Sequence, residues 1–335
     1  MSEYQSLLLV SFGGPEKQED VMPFLQNVLR GRNVPRDRME EVAQHYYQFG
    51  GVSPINQQNR QLISALQADF KANQIELPIY WGNRNWHPML QDTLQQMKND
   101  GIQRSLAFFT SGFSCYSGCR QYRENIQQVQ QAIGEGAPQV DKLRMFYNHP
   151  NFIETCSIRL KKSLDETVTD WKQAIVLFTA HSIPDSMASG CNYVKQLEEA
   201  SRLVAEHSGV ENWKLVYQSR SGPPTQPWLE PDVCDYIEEV AANGIKEVVI
   251  MPIGFVSDHM EVIFDLDVEA RETCEKLGIK LGRAATAGTH ELFVEMIREL
   301  VLERMGQTEK RASGTLGPSH DVCPENCCMP GSRPR

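Results

Sequence analysis

His181 and Glu261 are the side chains best placed to do chemistry. His181 closes the run Phe178-Thr179-Ala180-His181-Ser182-Ile183-Pro184, and Glu261 closes Gly254-Phe255-Val256-Ser257-Asp258-His259-Met260-Glu261. Each polar group ends an apolar, β-rich stretch where a helix should begin. That is the carboxyl edge of a strand in an open α/β sheet, where such folds bind ligands. An imidazole and a carboxylate there can hold a divalent metal or move protons. Beyond Glu261, Asp265 and Glu269 follow at i+4 and i+8, which puts three carboxylates on one helix face. Like charges in a row repel unless cations occupy them, so the row reads as a path for a hard or borderline divalent cation. The competing reading is a solvated acidic face near a helix N-terminus, where carboxylates are favoured anyway. His181 alone also suits a structural histidine. His259 competes with it, although a position two before Glu261 need not point the same way.

Other segments offer surfaces more than reactive groups. Gly13-Gly14-Pro15 lacks both the G-x-G-x-x-G spacing and a Walker lysine, so it reads as a tight turn that lets a ligand approach the backbone. Ser219-Arg220-Ser221-Gly222-Pro223-Pro224, followed by Pro227-Trp228-Leu229, supplies rigid prolines and an indole. Trp228 could wall a flat apolar ligand; the alternative is a proline-rich surface loop.

The elements that must carry these groups alternate. Strands are expected at 7–11, 78–82, 105–110, 174–179, 214–218, 247–253 and, short and last, 282–285. Helices are expected at 19–29, 38–48, 56–73, 89–100, 122–133, 152–168, 193–208, 233–243, 261–277 and 290–305. Repeated β-then-α order implies parallel sheets covered by helices. Two rounds of it give an α/β protein of two Rossmann-like halves, 1–150 and 151–305, with the last helix able to pack back on the first half. Residues 306–335 form a cysteine-containing tail, polar and Gly/Pro-rich, with little packing of its own.

Composition narrows the function classes. The chain has 335 residues, 41% of them hydrophobic, enough for a sizeable core, and a net charge of −10. That acidity argues against nucleic acid or an anionic membrane as partner. No apolar run approaches the roughly 18 residues that span a bilayer. Met1-Ser2-Glu3-Tyr4-Gln5 has no basic n-region, and a cytoplasmic protein is expected. Nine cysteines are many for a compartment where structural disulfides are rare. Cys191, Cys234 and Cys274 read as ordinary core or surface residues, whereas Cys323, Cys327 and Cys328 crowd into the polar tail.

Taken together these segments resemble the ferrochelatase family over nearly the whole chain, with wording closest to the actinobacterial type. The matching motifs are the runs Leu8–Pro15, Phe49–Asn56, Tyr80–Trp86, Tyr116–Tyr122, Thr179–Pro184, Gln218–Pro224 and Gly254–Glu261. The resemblance implies two Rossmann-like halves enclosing a porphyrin cleft, and insertion of Fe(II) into a porphyrin with release of two protons. It implies metal contact and proton abstraction by His181, with Glu261 across the cleft. Asp265 and Glu269 match the acidic row that guides metal inward. Ser53 and Tyr122 match porphyrin contacts of soluble bacterial members. The chemistry fits independently: a porphyrin must lose two pyrrole protons to bind iron, a neutral imidazole can accept one, and a carboxylate can relay one or help desolvate the metal.

Two departures matter. Phe12 stands where Firmicute-type enzymes carry a tyrosine able to ligate product iron, so axial ligation or product release must differ. Residues 30–48 are rich in Arg, Asp, Glu and Gln where membrane-bound animal members are apolar. A polar lip suits a tetracarboxylate porphyrin such as coproporphyrin III, giving coproheme, over protoporphyrin IX. Arg30, Arg32, Arg36 and Arg38 could pair with its propionates, or be plain surface charge. Some family members carry a [2Fe–2S] cluster on one internal and three C-terminal cysteines. Cys323, Cys327 and Cys328 match the three and Cys156 the internal position, with Cys115 and Cys119 as rivals; a zinc site or unligated thiols are the alternatives. Partners are then a porphyrin and ferrous iron, with no nucleic acid and no transmembrane segment, and a monomer rather than a homodimer. A non-catalytic haem carrier is the alternative of another class, but a carrier needs no base facing a carboxylate. A cobalt or nickel chelatase is the third.

Overall fold

The run Leu7–Val10 forms the centre of a strand with no exposed side chain. The computed structural model describes residues 3–31, 34–223 and 225–331. They fall into two compact units, each built on a four-stranded parallel sheet.

In the first unit the strands are β1 (Ser6–Ser11), β2 (Ile79–Asn83), β3 (Arg104–Phe109) and β4 (Gln139–Lys142), in the order β2-β1-β3-β4. Covering helices run over Ile55–Ala72, Leu90–Asn99 and Gln121–Ile133. A parallel sheet covered on both faces has no solvated side, which is why β1 reads as an unbroken apolar run. The long helix Ile55–Ala72 buries Leu62, Leu66 and Phe70 at i, i+4 and i+8, the stripe expected of a helix lying on a sheet.

In the second unit the strands are β5 (Ile175–His181), β6 (Trp213–Gln218), β7 (Glu247–Met251) and β8 (Lys280–Arg283), in the order β6-β5-β7-β8. The order is that of the first sheet, strand for strand. Ile175, Leu177, Val248 and Ile250 pack with Val233 and Ile237 of the helix Val233–Ala242 and with Leu266, Ala270 and Cys274. The helix Tyr193–Ser208 stops at Gly209, whose φ of +72° is the left-handed cap that favours glycine.

In both sheets the chain leaves one central strand to one side and returns on the other. The adjacent carboxyl ends of β1 and β3, and of β5 and β7, are therefore topological switch points, where open α/β sheets take their ligands.

Most expected elements stand within a residue or two of their expected bounds. Four differences stand out. β4 was not expected: Gln-Val-Asp-Lys is a short, polar edge strand without periodicity, pinned by the Arg104–Asp141 ion pair at 2.7 Å. The turn of helix Asp185–Ala188 was also missed. The helix expected over 261–277 is three segments, an α turn (Met260–Val262), a π-helix (Ile263–Glu269) and an α-helix (Ala270–Leu277). The division into units is not one cut near residue 150. The first takes the chain to Thr110 with Gln121–Leu143 and Ile297–Thr308; the second takes Ser111–Arg120, Arg144–Met296 and the chain from Glu309.

The tail is the clearest correction. It has no regular structure, yet it is not loosely packed. Buried Arg144 donates to the Arg311 carbonyl at 2.6 Å, and Asn148 donates to the Gly317 carbonyl at 2.8 Å. Glu199 accepts from the Thr315 N–H at 3.1 Å, and Arg120 donates to the Glu325 carbonyl at 2.8 Å. Buried polar groups far upstream satisfy the tail's backbone. Composition cannot show such pairing, because the partners lie in other elements.

Candidate active site

His181 is the last residue of β5, and Glu261 follows β7. The two groups singled out in the sequence therefore flank the switch point of the second sheet. The His181 Nδ1 lies in hydrogen-bond contact with the Ser182 carbonyl. A carbonyl only accepts, so Nδ1 carries a proton, and in the neutral tautomer Nε2 presents its lone pair. That Nε2 stands 3.8 Å from Glu261 Oε2. The gap is too long for a hydrogen bond and close to the span of two metal–ligand bonds of about 2 Å each. The Tyr193 hydroxyl donates to the His181 carbonyl at 3.1 Å and ties down the strand end.

His259 takes the second side of Glu261. Its Nδ1 accepts the Glu261 N–H at 3.2 Å, capping the helix turn, and its Nε2 lies 3.9 Å from the same Glu261 Oε2. Accepting at Nδ1 leaves the proton on Nε2. Burial holds the His259 pKa below its ordinary value, so the ring stays neutral. The Glu261 carboxylate thus lies between a lone pair on His181 and an N–H on His259. The sequence offered His259 only as a rival to His181; it is a cap and a neighbour.

Asp265 is buried within electrostatic reach of both Glu261 and Glu269. Asp265 is pushed up to about 7, chiefly by burial and further by Glu261 and Glu269, against the lowering hydrogen bond from Ser219. Gln218 donates to Asp265 at 3.2 Å and to the Glu261 carbonyl at 3.0 Å. Glu269 is raised by burial, then by Asp232 and Glu272. Asp232, itself raised by burial, extends the row while capping the helix Val233–Ala242 through the Cys234 N–H at 2.8 Å. Gln218, Ser219 and Asp232 were missed as site residues. The signal for the first two was present: Gln218 ends β6, in register with His181.

The π-helix carrying Asp265 and Glu269 is clamped by Arg283. This largely buried guanidinium donates twice to Asp267, at 2.9 and 2.7 Å, and once to Asp258 at 2.8 Å. One side chain thereby fixes both the loop before His259 and the helix behind the carboxylates, with the fork geometry that suits arginine. π-Helical turns are rare and concentrate at functional sites.

In the first unit Phe12 follows β1 and packs edge-on against Phe24, with ring centroids 6.1 Å apart. The Arg84 guanidinium lies 5.9 Å from the Phe12 ring and 4.6 Å from the Tyr122 ring. Ser53 is buried, and its N–H bonds the Pro15 carbonyl at 2.8 Å. A Cβ on Gly14 would stand 2.8 Å from the Ser53 hydroxyl, so this turn does need glycine. Arg84 lies within the Tyr80–Trp86 run, and its position over two rings is not legible in the sequence. Trp228 pairs with Pro184 as an antiparallel bridge, just past His181, and packs on Gly222. Of the lip arginines, Arg36 pairs with Glu40 and Arg38 with Glu41, both at 2.7 Å, and Arg30 donates to Asn27 at 2.6 Å. Arg32 lies outside the described residues.

The tail cysteines form one donor group. His320, Cys323 and Cys327 each bring a ligand atom within 4.8 Å of the others. Cys327 Sγ lies 3.5 Å from Cys328 Sγ. Thiolates with an imidazole are soft donors of the kind that suit zinc or an iron–sulfur centre, and three of them converge here. Cys328 is raised by burial, then by Cys327, Cys191 and Cys115. Cys156 is raised by burial, with Arg159 as its charged influence and no thiol among them.

A parallel α/β fold with an imidazole, a carboxylate and a buried acidic row at its strand ends is built to take a divalent cation and move protons, as a chelatase must. Residues 4–305 match the ferrochelatase family. A ferrochelatase of Rhodopirellula baltica is 64% identical over 328 residues, covering 97% of this chain and 93% of that protein. A coproporphyrin III ferrochelatase of Streptomyces coelicolor is 49% identical, covering 100% and 95%. The solved structure of SirB from Bacillus subtilis with Fe3+ aligns with a TM-score of 0.57 at 12% identity, over 91% of this chain and 98% of that one, a likeness of fold. The chain belongs to the ferrochelatase family, and its reaction is insertion of iron into a porphyrin in haem synthesis. Among the described residues no helix is long and apolar enough to cross a membrane.

The raised Asp265 pKa makes a prediction about stability. Its ordinary value is 3.8 and its folded value about 7, so between them the native state holds a proton that the unfolded chain does not. That contribution is present below about 4 and is lost as pH rises through about 7. Asp265→Asn does not titrate. Denaturant midpoints at pH 5 and pH 8 should therefore differ less in the variant than in the parent. The difference in differences should be on the order of 2 to 4 kcal/mol. Equal pH slopes for the two proteins would show that Asp265 is already ionised at pH 5.

Proposed function

We propose that the protein metallates coproporphyrin III, with His181 as the base that takes pyrrole protons and Glu261 as its partner on the iron. The observation that carries this is the 3.8 Å approach of His181 Nε2 to a Glu261 carboxylate oxygen at the switch point of the second sheet. Ferrous iron arrives as substrate along Glu269, Asp265 and Glu261, shedding water as carboxylates replace it. A proton on Asp265 is released when the cation passes, since ligands must be deprotonated to bind. Nε2 of His181 accepts a pyrrole proton, and Glu261 is placed to relay it outward. The second pyrrole proton follows the same route once the first has left.

Phe12, Ser53 and Tyr122 are offered as porphyrin contacts, with Arg84 fixed over the two aromatic rings, and Trp228 is a further candidate. Phe12 offers a flat face and no ligand atom for iron. Three facts favour the tetracarboxylate substrate: the Streptomyces coelicolor relative is a coproporphyrin III ferrochelatase, the helix Arg36–Tyr47 carries exposed arginines, and Arg84 lies over the Tyr122 ring. The Arg36 and Arg38 ion pairs are exposed and worth little, so these side chains can turn to propionates at small cost. Anaerobic metallation assays with Fe(II) and each porphyrin test this. Coproporphyrin III should be preferred over protoporphyrin IX in kcat/KM by about tenfold or more, the value of one charged hydrogen bond. Equal rates, or faster metallation of protoporphyrin IX, would remove the preference.

We also propose that the tail holds a [2Fe–2S] cluster, with Cys323, Cys327 and Cys328 as ligands, in a cytoplasmic protein. Insertion of Fe(II) transfers no electrons, so a cluster here serves to fasten the tail to the second unit.

A further inference from the structure

We propose that Asn56 is a positioning residue, which ties together the backbone segments of the first unit that present Phe12, Ser53 and Arg84 and so sets how well that surface takes the porphyrin. This rests on the reading that these side chains meet the porphyrin. The run Phe49–Asn56 ends on an asparagine, and nothing in the chemistry of metal insertion calls for one there. Its surroundings give it a task.

Asn56 is the second residue of the helix Ile55–Ala72 and has no exposed surface. Its Nδ2 donates toward the His87 carbonyl at 3.0 Å, and toward the Gly14 carbonyl and Glu16 Oε2, both at 3.2 Å. All three groups only accept, which fixes the amide with its nitrogen toward them. Its Oδ1 accepts from Asn83 Nδ2 at 3.1 Å, and that nitrogen also donates to the His87 carbonyl at 3.0 Å. Asn83, itself fully buried, accepts from Trp81 Nε1 at 2.9 Å. The donors thus run from Trp81 through Asn83 to Asn56 and end on the backbone of two loops. Arg60 anchors Glu16 from the other side, at 2.6 and 3.0 Å. The Arg60 hydrogen bond holds the Glu16 carboxyl below its ordinary pKa, against burial and with help from Asn56.

Each segment so held carries part of the porphyrin surface. Phe12 lies two residues before Gly14, and its carbonyl accepts from the Asn85 N–H at 3.1 Å and from Asn85 Nδ2 at 3.2 Å. Arg84 follows Asn83 directly, and its N–H donates to the Ser11 carbonyl at 3.0 Å. Ser53 precedes Asn56 by three residues, with its N–H on Pro15. A buried network is costly to leave half-satisfied. Removing the Asn56 donor strands two carbonyls and a carboxylate, and the loops shift to regain partners. A displacement of about 1 Å can cost a site about a hundredfold. Every member of the network belongs to the first unit, whereas His181 and Glu261 belong to the second. The effect should therefore fall on the porphyrin and spare the iron.

The test uses the full chain as parent, Asn56→Asp, Trp81→Phe, Leu62→Ala and Phe12→Ala. Asn56→Asp keeps the shape and loses the donor. Trp81→Phe removes only the outermost donor and keeps a ring under Arg60. Leu62→Ala destabilises the same helix from an apolar position. Urea midpoints, porphyrin Kd by fluorescence quenching, and KM for porphyrin and for Fe(II) are measured for each. Asn56→Asp should raise porphyrin Kd and KM about tenfold or more and leave the Fe(II) KM within about twofold. Trp81→Phe should move the porphyrin values the same way by about threefold. Leu62→Ala should lower the midpoint and move neither KM. An unchanged porphyrin KM in Asn56→Asp and Trp81→Phe, while Phe12→Ala raises it, overturns the assignment and leaves the porphyrin surface standing. A shift in Leu62→Ala as large as that in Asn56→Asp makes Asn56 structural only and overturns it too. If Asn56→Asp does not fold, Trp81→Phe decides alone, and no shift there overturns the assignment. No shift in any variant, Phe12→Ala included, removes the porphyrin surface and this inference together.

Discussion

His181→Ala should lose metallation by about a thousandfold, within the 10²–10⁴ range of a positioned general base, while still binding porphyrin. Two arguments set the size. The Ser182 carbonyl fixes the proton on Nδ1 and leaves Nε2 as the acceptor, so alanine removes both the base and the metal contact. Neither Glu261 nor His259 can replace it. His259 accepts through Nδ1 and presents an N–H at Nε2 toward Glu261, the wrong proton state for taking one from a pyrrole. On the proposed reading the flat ring binds aromatic and arginine surfaces such as Phe12, Arg84 and Tyr122, which the substitution leaves alone. Porphyrin fluorescence quenching should give a Kd within about threefold of the parent, less than 1 kcal/mol. Anaerobic Fe(II) assays should give a kcat near background. Turnover within tenfold of the parent would remove His181 from the chemistry, and loss of porphyrin binding would make it a binding residue.

The sequence revealed what depends on local order and hid what depends on distant partners. His181 and Glu261 were legible because each ends a β-rich run, and a strand end in a parallel sheet has a fixed meaning. The helix Tyr193–Ser208 was legible to the residue, since its apolar stripe and Gly209 cap are both local. The row Glu261, Asp265, Glu269 was legible as spacing, but its π-helical winding was not. Periodicity cannot separate an inserted residue's turn from a regular one when Arg283 comes from a later strand. The tail misled most. Its low hydropathy was read as loose packing, yet Arg144, Asn148 and Glu199 hold its backbone. His320 was passed over for the same reason, because a lone histidine in a polar segment carries no signal until folding brings it to Cys327.

Arg283→Leu carries the second large expectation. The guanidinium is the shared partner of Asp258 and Asp267. Removing it leaves two part-buried carboxylates facing a much shorter apolar side chain. Breaking such a pair from one side costs roughly 3 to 5 kcal/mol, because the charge left behind has lost its partner. Urea unfolding should show that loss at pH 7.5. The functional effect should follow the clamp's position. Asp258 precedes His259 and Glu261, and Asp267 lies on the π-helix between Asp265 and Glu269. A slack clamp lets both carboxylate sets drift, so KM for Fe(II) should rise about tenfold with a smaller fall in kcat, since His181 on β5 is untouched. The double variant Arg283→Leu with Asp267→Asn makes the argument specific. Neutralising the stranded carboxylate should return at least about 1 kcal/mol of stability, a coupling of the size expected for residues in contact. It should not return the KM, because the fork that positioned the π-helix is still gone. Restoration of both would mean that Arg283 only neutralises charge; restoration of neither would place its main contact with Asp258.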